Sequence, residues 1–124
     1  MTFGLFRRVD AVQVPVPSLD EGLRFYAESL GHRVKWRNDA VGQVGLELPD
    51  GDSELVLSTN RPYEPNWLVD DVPEAIATFI HYGGTLVAGP IDIPVGRVAV
   101  VQDPFANTLV LVDLSKGLYP AAEK

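Results

Sequence analysis

Read as a string of apolar and polar positions, the chain writes one grammar twice. Over residues 9–16, Val12, Val14 and Val16 alternate with Ala11, Gln13 and Pro15, the period-two pattern of a half-buried strand. Ser18 then offers a helix cap, with Glu21 three residues later to complete a capping box. Leu19, Leu23, Tyr26 and Leu30 come next at spacings of 4, 3 and 4, one apolar stripe at helical period, and Gly31 supplies the positive φ that ends helices. The second half repeats this: a short strand over 65–69, a cap at Asp71 with Glu74 behind it, a stripe of Val72, Ile76 and Phe79, and a stop at Gly83-Gly84. The caps Ser18 and Asp71, the glycines Gly31 and Gly84, and the turn residues Asp50 and Asp103 are each 53 residues apart.

Three strands are predicted after each helix, over 32–37, 41–48 and 54–59 and then over 85–87, 97–102 and 108–113. The turns at 49–52 and 103–107 are rich in Pro, Gly, Asp and Asn. The expected fold is therefore α+β, one domain of two tandem βαβββ modules, the first over about 8–60 and the second over about 62–114, with a linker at 58–64 and a polar tail over 115–124. A single such unit buries too little surface to stand alone. Its helix covers one sheet face, so the two curved mixed sheets are expected to leave their other faces as the walls of a cleft.

Strand parity names the residues on those walls. Val12, Val14 and Val16 take the helix side, which sends Ala11 and Gln13 to the cleft; the same offset sends Glu64 and Asn66 there and Trp67 to the core. Leu55, Leu57, Leu109 and Leu111 suit the core, leaving Glu54, Val56, Ser58, Val110 and Val112 toward the cleft. Glu47 and Arg97 are within reach of it, and Trp36 is a candidate aromatic platform for stacking or cation–π contact. The expected ligand-binding set is Gln13, Trp36, Glu47, Glu54, Val56, Glu64, Asn66, Arg97 and Val110, with Glu64 also the candidate general base.

Composition narrows the partners. Ten Lys and Arg stand against seventeen Asp and Glu, a net charge of −7. A basic stripe for nucleic acid is missing, and an anionic membrane surface would repel the chain. The absence of cysteine removes thiolate metal sites and cysteine nucleophiles. No signal peptide and no spanning segment is read from the pattern, so the expected location is the cytoplasm. No phosphate loop, GxSxG motif or His cluster is present.

Val16-Pro17-Ser18-Leu19, Phe25-Tyr26, Leu30-Gly31, Val69-Asp70-Asp71-Val72, Gly83-Gly84, Pro94-Val95-Gly96-Arg97 and Asp103-Pro104-Phe105-Ala106-Asn107 together resemble the vicinal oxygen chelate superfamily of glyoxalase I, bleomycin-resistance proteins and extradiol dioxygenases. The resemblance spans about residues 8–114 and implies the glyoxalase/bleomycin-resistance-like fold. It also implies, in metal-dependent members, one His or Glu on the first and last strand of each module. Those positions fall here on Ala11, Val56, Glu64 and Val110. One carboxylate cannot supply the several ligands a transition metal needs, so no metal and no cofactor is expected. A register slip would recruit Glu54 or Glu47 instead. Ala106 departs from the glycine usual in the family at this turn.

Two functions compete. The favoured one is a metal-independent protein that sequesters an amphipathic or cationic small molecule, as a homodimer. The alternative is a glyoxalase-like lyase or isomerase that uses Glu64 as base, or as part of a divergent carboxylate metal site. An accessory subunit that associates through strand edges near Pro90–Pro94 is a third reading without a motif to support it.

Overall fold

A computed structural model describes residues 4–117. The chain divides into two compact units, residues 11–64 and residues 4–10 together with 65–117. The eight strands are β1 (Arg8–Pro15), β2 (Val34–Asn38), β3 (Gln43–Glu47), β4 (Glu54–Ser58), β5 (Glu64–Leu68), β6 (Thr85–Ile93), β7 (Gly96–Gln102) and β8 (Thr108–Val112); helix α1 spans Leu19–Leu23 and α2 Val72–His81. Among the described residues no helix is long and apolar enough to cross a membrane. Of the expected tail, residues 118–124 lie outside the described ones.

In the unit of residues 11–64 the strand order is β2-β3-β4-β1. β1 runs parallel to β4, with Gln13 opposite Val56, while β3 is antiparallel to β4 and to β2. Helix α1 begins where the cap predicts: Ser18 Oγ accepts the Glu21 amide at 3.1 Å. Its apolar side buries Leu19 against Val44, Leu46 and Leu57, with Val14, Val16, Leu23, Tyr26 and Leu55 packed around them. The Val and Leu parities read from the sequence hold. The helix departs from expectation at its second turn, where Arg24–Ser29 widen into a π-helical stretch and Leu30 N bonds back to Phe25 O at 3.0 Å. Each widened turn takes in an extra residue, which shifts the stripe off the core; Leu30, its last member, is exposed.

In the other unit the order is β5-β8-β7-β6, with β5 parallel to β8 and the remaining pairs antiparallel. Element for element this repeats the first unit, and so gives each the same mixed α+β topology. Val72, Ala75 and Ile76 of α2 pack on Ala99, Val101 and Leu111, with Trp67, Phe79 and Leu109 beside them. Residues 4–10 belong here because Leu5 and Phe6 join that core: Phe6 stacks on Trp67 with ring centres 4.9 Å apart. β6 runs six residues beyond the three-residue strand expected. It is the last strand in the order, where Pro90 is tolerated because an edge amide has no ladder partner to lose.

The glycine stop of α2 also differs. Positive φ falls on Gly83 (101°), not on Gly84. Gly84 is required for room instead: a Cβ there would lie 2.6 Å from Phe79 Cδ2 and 2.9 Å from the Gln102 carbonyl oxygen. At the N-terminus of α2, Asp71 caps the Glu74 amide at 2.9 Å. The fully buried Asp113 accepts the Val72 amide at 2.8 Å, the Arg97 amide at 2.9 Å and the Ser115 hydroxyl at 2.7 Å. Burial pushes its pKa up, but these hydrogen bonds outweigh that and leave it lowered. Asp113 thus ties helix, strand and chain end together.

Ala106 bears out the concern its sequence position raised, for its φ is +72°. The turn persists because Asp103 accepts the amides of Phe105 and Asn107 at 2.8 and 2.9 Å and the Asn107 side chain at 2.9 Å. Ala106→Gly is expected to stabilise the fold by about 0.5–1 kcal/mol, because glycine enters the left-handed region without steric cost. Urea denaturation measures this, and an unchanged or lower midpoint would contradict it.

Candidate functional site

The sheet face of residues 11–64 that turns away from α1 carries the candidate site. Alternation along each strand fixes its members: with Val14, Val44, Leu46, Leu55 and Leu57 on the helix side, the opposite face takes Ala11 and Gln13 from β1, Gln43, Gly45 and Glu47 from β3, and Glu54 and Val56 from β4. Five predicted residues, Gln13, Trp36, Glu54, Val56 and Glu64, come together in one hydrogen-bonded or contiguous set around it.

Its centre is a polar chain with two buried members, Gln13 and Glu64. Gln13, 4% exposed, donates from Nε2 to Glu64 Oε1 at 3.0 Å, and accepts at Oε1 from Gln43 Nε2 at 3.3 Å. Glu64 is 3% exposed, and the Arg61 guanidinium pairs with the same Oε1. A glutamate at the start of a strand would ordinarily sit in water; here Arg61, three residues earlier, pairs with it. Burying a carboxylate is costly unless it is paired and hydrogen-bonded, and Gln13 and Arg61 meet that need. Ala11 and Val56, both buried, supply the apolar part of the face.

A second cluster lies further out. The Trp36 indole donates to Glu54 Oε1 at 2.8 Å and lies across Gly45, where any Cβ would collide with its ring. Lys35 pairs with the other oxygen of Glu54 at 3.2 Å. Trp36 is thus on the expected face, with one edge already tied. Glu47 is exposed and, with Lys35, Asp52 and Glu54, lines an open depression of about 250 Å³.

The remaining candidates belong to the other unit. Asn66 sits opposite Val110, and its Oδ1 is a buried side-chain acceptor with no hydrogen-bond partner among the described residues. Val110 is buried on the face away from α2. Arg97 does not reach an open face. It shares its parity with Ala99 and Val101 on the α2 side, and its guanidinium lies 3.4 Å from Asp71 and 3.7 Å from Asp113, where it supports the helix cap. Neither histidine is bonded to Gln13 or Glu64: His32 bonds the Glu47 carbonyl at 3.2 Å, and His81 packs edge-on against Tyr82.

Sequence reasoning missed Arg61 and Gln43. Gln43 shares a parity with Gly45 and Glu47, a signal that was available. Arg61 had none, since it lies in a connection without period. The ligating positions of metal-dependent relatives do not fit a metal here. Three are aliphatic, Glu64 is committed to Gln13 and Arg61, and among the described residues no three His, Asp or Glu side chains gather as a metal site requires. Of the two carboxylates a register slip would recruit, Glu54 is held by Trp36 and Lys35 and Glu47 is exposed.

Comparison with known proteins places this geometry. Residues 8–111 match the sequence profile of the family described as Glyoxalase/Bleomycin resistance protein/Dioxygenase superfamily. The chain is 36% identical over 93 residues to the protein named "Putative glyoxylase CFP32" in Mycobacterium bovis and in Mycobacterium tuberculosis; the match takes in 68% of this chain and 36% of those relatives, so the chain spans about a third of their length. Among solved structures, methylmalonyl-CoA epimerase from Mycobacterium tuberculosis superposes with a TM-score of 0.70 at 18% identity, over 91% of each chain. A methylmalonyl-CoA epimerase in complex with methylmalonyl-CoA and NH4+ superposes with a TM-score of 0.72 at 19% identity, over 93% of this chain and 99% of that one. These likenesses show the fold. With its profile match running through both units, the chain belongs to the glyoxalase/bleomycin resistance protein/dioxygenase superfamily.

Proposed function

We propose that this chain binds a small amphipathic organic molecule without a metal ion, on the sheet face of residues 11–64 that carries Gln13, Val56 and Glu64. The observation that supports it most is the Gln43–Gln13–Glu64–Arg61 chain, whose two central members are buried. Polar groups are placed on an apolar sheet face at a real desolvation cost, and such convergent polar groups on an apolar surface are the usual makings of a small-molecule site. Aliphatic side chains at three of the four ligating positions of metal-using relatives point the same way.

The test is thermal unfolding against a chemically broad panel of amphipathic compounds in EDTA. Ligand at a hundredfold excess over Kd should stabilise by about 2.7 kcal/mol, a Tm rise of about 10 °C for a domain of this size. A rise that vanishes in EDTA and returns with a divalent metal would overturn the reading.

A second reading rests on Glu64 itself. A buried carboxylate oriented by Gln13 is placed as a general base would be for taking a proton beside a carbonyl, and solved structures that share this fold include methylmalonyl-CoA epimerases. Solvent deuterium entering a bound carbonyl compound, and failing to do so with Glu64→Gln, would favour this reading over simple sequestration.

A further inference from the structure

The unit that contains α2 carries a sheet face of its own, turned away from that helix, and strand register orders it into rows. Asn66 stands opposite Val110 and Val110 opposite Val100; in the next row Val112 stands opposite Val98 and Val98 opposite Ile91. Ala99, between the two β7 valines, packs under α2, so by alternation the rows face the other way. Exposure grows toward the sheet edge. Val110 and Val112 are buried, Val98 and Val100 half-buried, and Ile91 is 58% exposed. All of these side chains are aliphatic except Asn66, and Asn66 is the one that lacks a partner.

Its Oδ1 is buried and accepts no hydrogen bond among the described residues. Buried acceptors in folded proteins are nearly always paired, so an exception points to a donor that comes from elsewhere. Water is a poor one here. It needs roughly two to four polar contacts, and the side chains registered beside Asn66, Val110 and Val100, offer none. A cation is no better: it would be desolvated against valines, and the carboxylate two residues back along β5, Glu64, already holds Gln13 and Arg61. A molecule with an apolar body and a neutral donor meets neither objection. We infer that this face is a second binding surface, taking an uncharged aliphatic molecule on Val98, Val100 and Ile91 with its hydroxyl or amide N–H bonded to Asn66 Oδ1. It does not depend on the face that carries Gln13 and Glu64.

Three probes on one aliphatic body separate the cases: 1-hexanol, 2-hexanone and hexylammonium, titrated into the full chain to about 20 mM, the range expected for so few atoms. Backbone amide NMR shifts at Asn66, Val100 and Val110 follow binding. Hexanol should bind the native protein about tenfold tighter than the ketone, which can only accept a hydrogen bond, and than the ammonium. 1-Butanol should bind about tenfold more weakly than hexanol, since two methylenes fewer lie on the valines. Asn66→Leu, close to asparagine in shape and folded by circular dichroism, should bring hexanol down to the level of the ketone. If that variant unfolds, Asn66→Asp keeps an acceptor, adds a charge and should hand the preference to hexylammonium. Equal binding of alcohol and ketone, tightest binding of the ammonium to the native protein, or a preference that the variant leaves unmoved would overturn the inference. Shifts confined to Gln13 and Val56 would overturn it while supporting the function proposed above; no shifts at either face would overturn it and count against that function as well.

Discussion

Asp113→Ala is expected to lower unfolding free energy by about 3–5 kcal/mol, enough to remove a large part of the stability a domain of this size has. The side chain is fully buried. Its loss leaves the Val72 and Arg97 amides and the Ser115 hydroxyl without their acceptor, and removes one of the two carboxylates beside the Arg97 guanidinium. β7 approaches so closely that a Cβ on Gly96 would overlap the Asp113 carbonyl and carboxylate. Asp113→Asn keeps one acceptor oxygen and should cost less than the alanine. Urea denaturation measures both; a loss under about 1 kcal/mol for alanine would mean that these donors find water as readily.

The same residue fixes the sign of an acid dependence. Its folded pKa is lowered, by hydrogen bonds that outweigh the opposing effect of burial. A group of that kind contributes stability above its unfolded pKa, about 3.9, and the contribution is lost as pH falls through the lower folded value. Stability should therefore drop below about pH 4, and Asp113→Asn should flatten that part of the curve while leaving the neutral range lower throughout.

Glu64→Ala is expected to have the second largest effect, and on two observables. Gln13 Nε2 would be left buried without its acceptor and Arg61 without its partner, a stability loss of about 2–3 kcal/mol. Ligand affinity at this face should fall at least about tenfold, the worth of one hydrogen bond to a charged group. The two parts separate through Gln13→Ala and the double variant. If the pair acts as a unit, the double loss should fall short of the sum of the single ones by about 1 kcal/mol. Additive losses would show that Gln13 and Glu64 do not support one another, and would remove the ground for calling the chain Gln43–Gln13–Glu64–Arg61 a network.

The repeated βαβββ order and the core-facing residues of β1, β4 and β8 were legible in the chain alone. Local rules sufficed there: Val14, Leu55, Leu57, Leu109 and Leu111 alternate with the residues of the other face, and Ser18 and Asp71 cap the helices that begin after them. Arg97 was legible by the same parity with Ala99 and Val101, though its charge suggested an open site. Contacts between distant segments settled everything that has no period. They placed Gln13 on Glu64 across 51 residues, and turned Asp113 into the acceptor for the first amide of a helix 41 residues earlier. The widening of α1, which took Leu30 out of the core, was equally invisible in the stripe. Hydrophobic alternation is written in neighbouring residues, whereas the partner of a buried charge is chosen by whichever distant donor the folded chain carries to it.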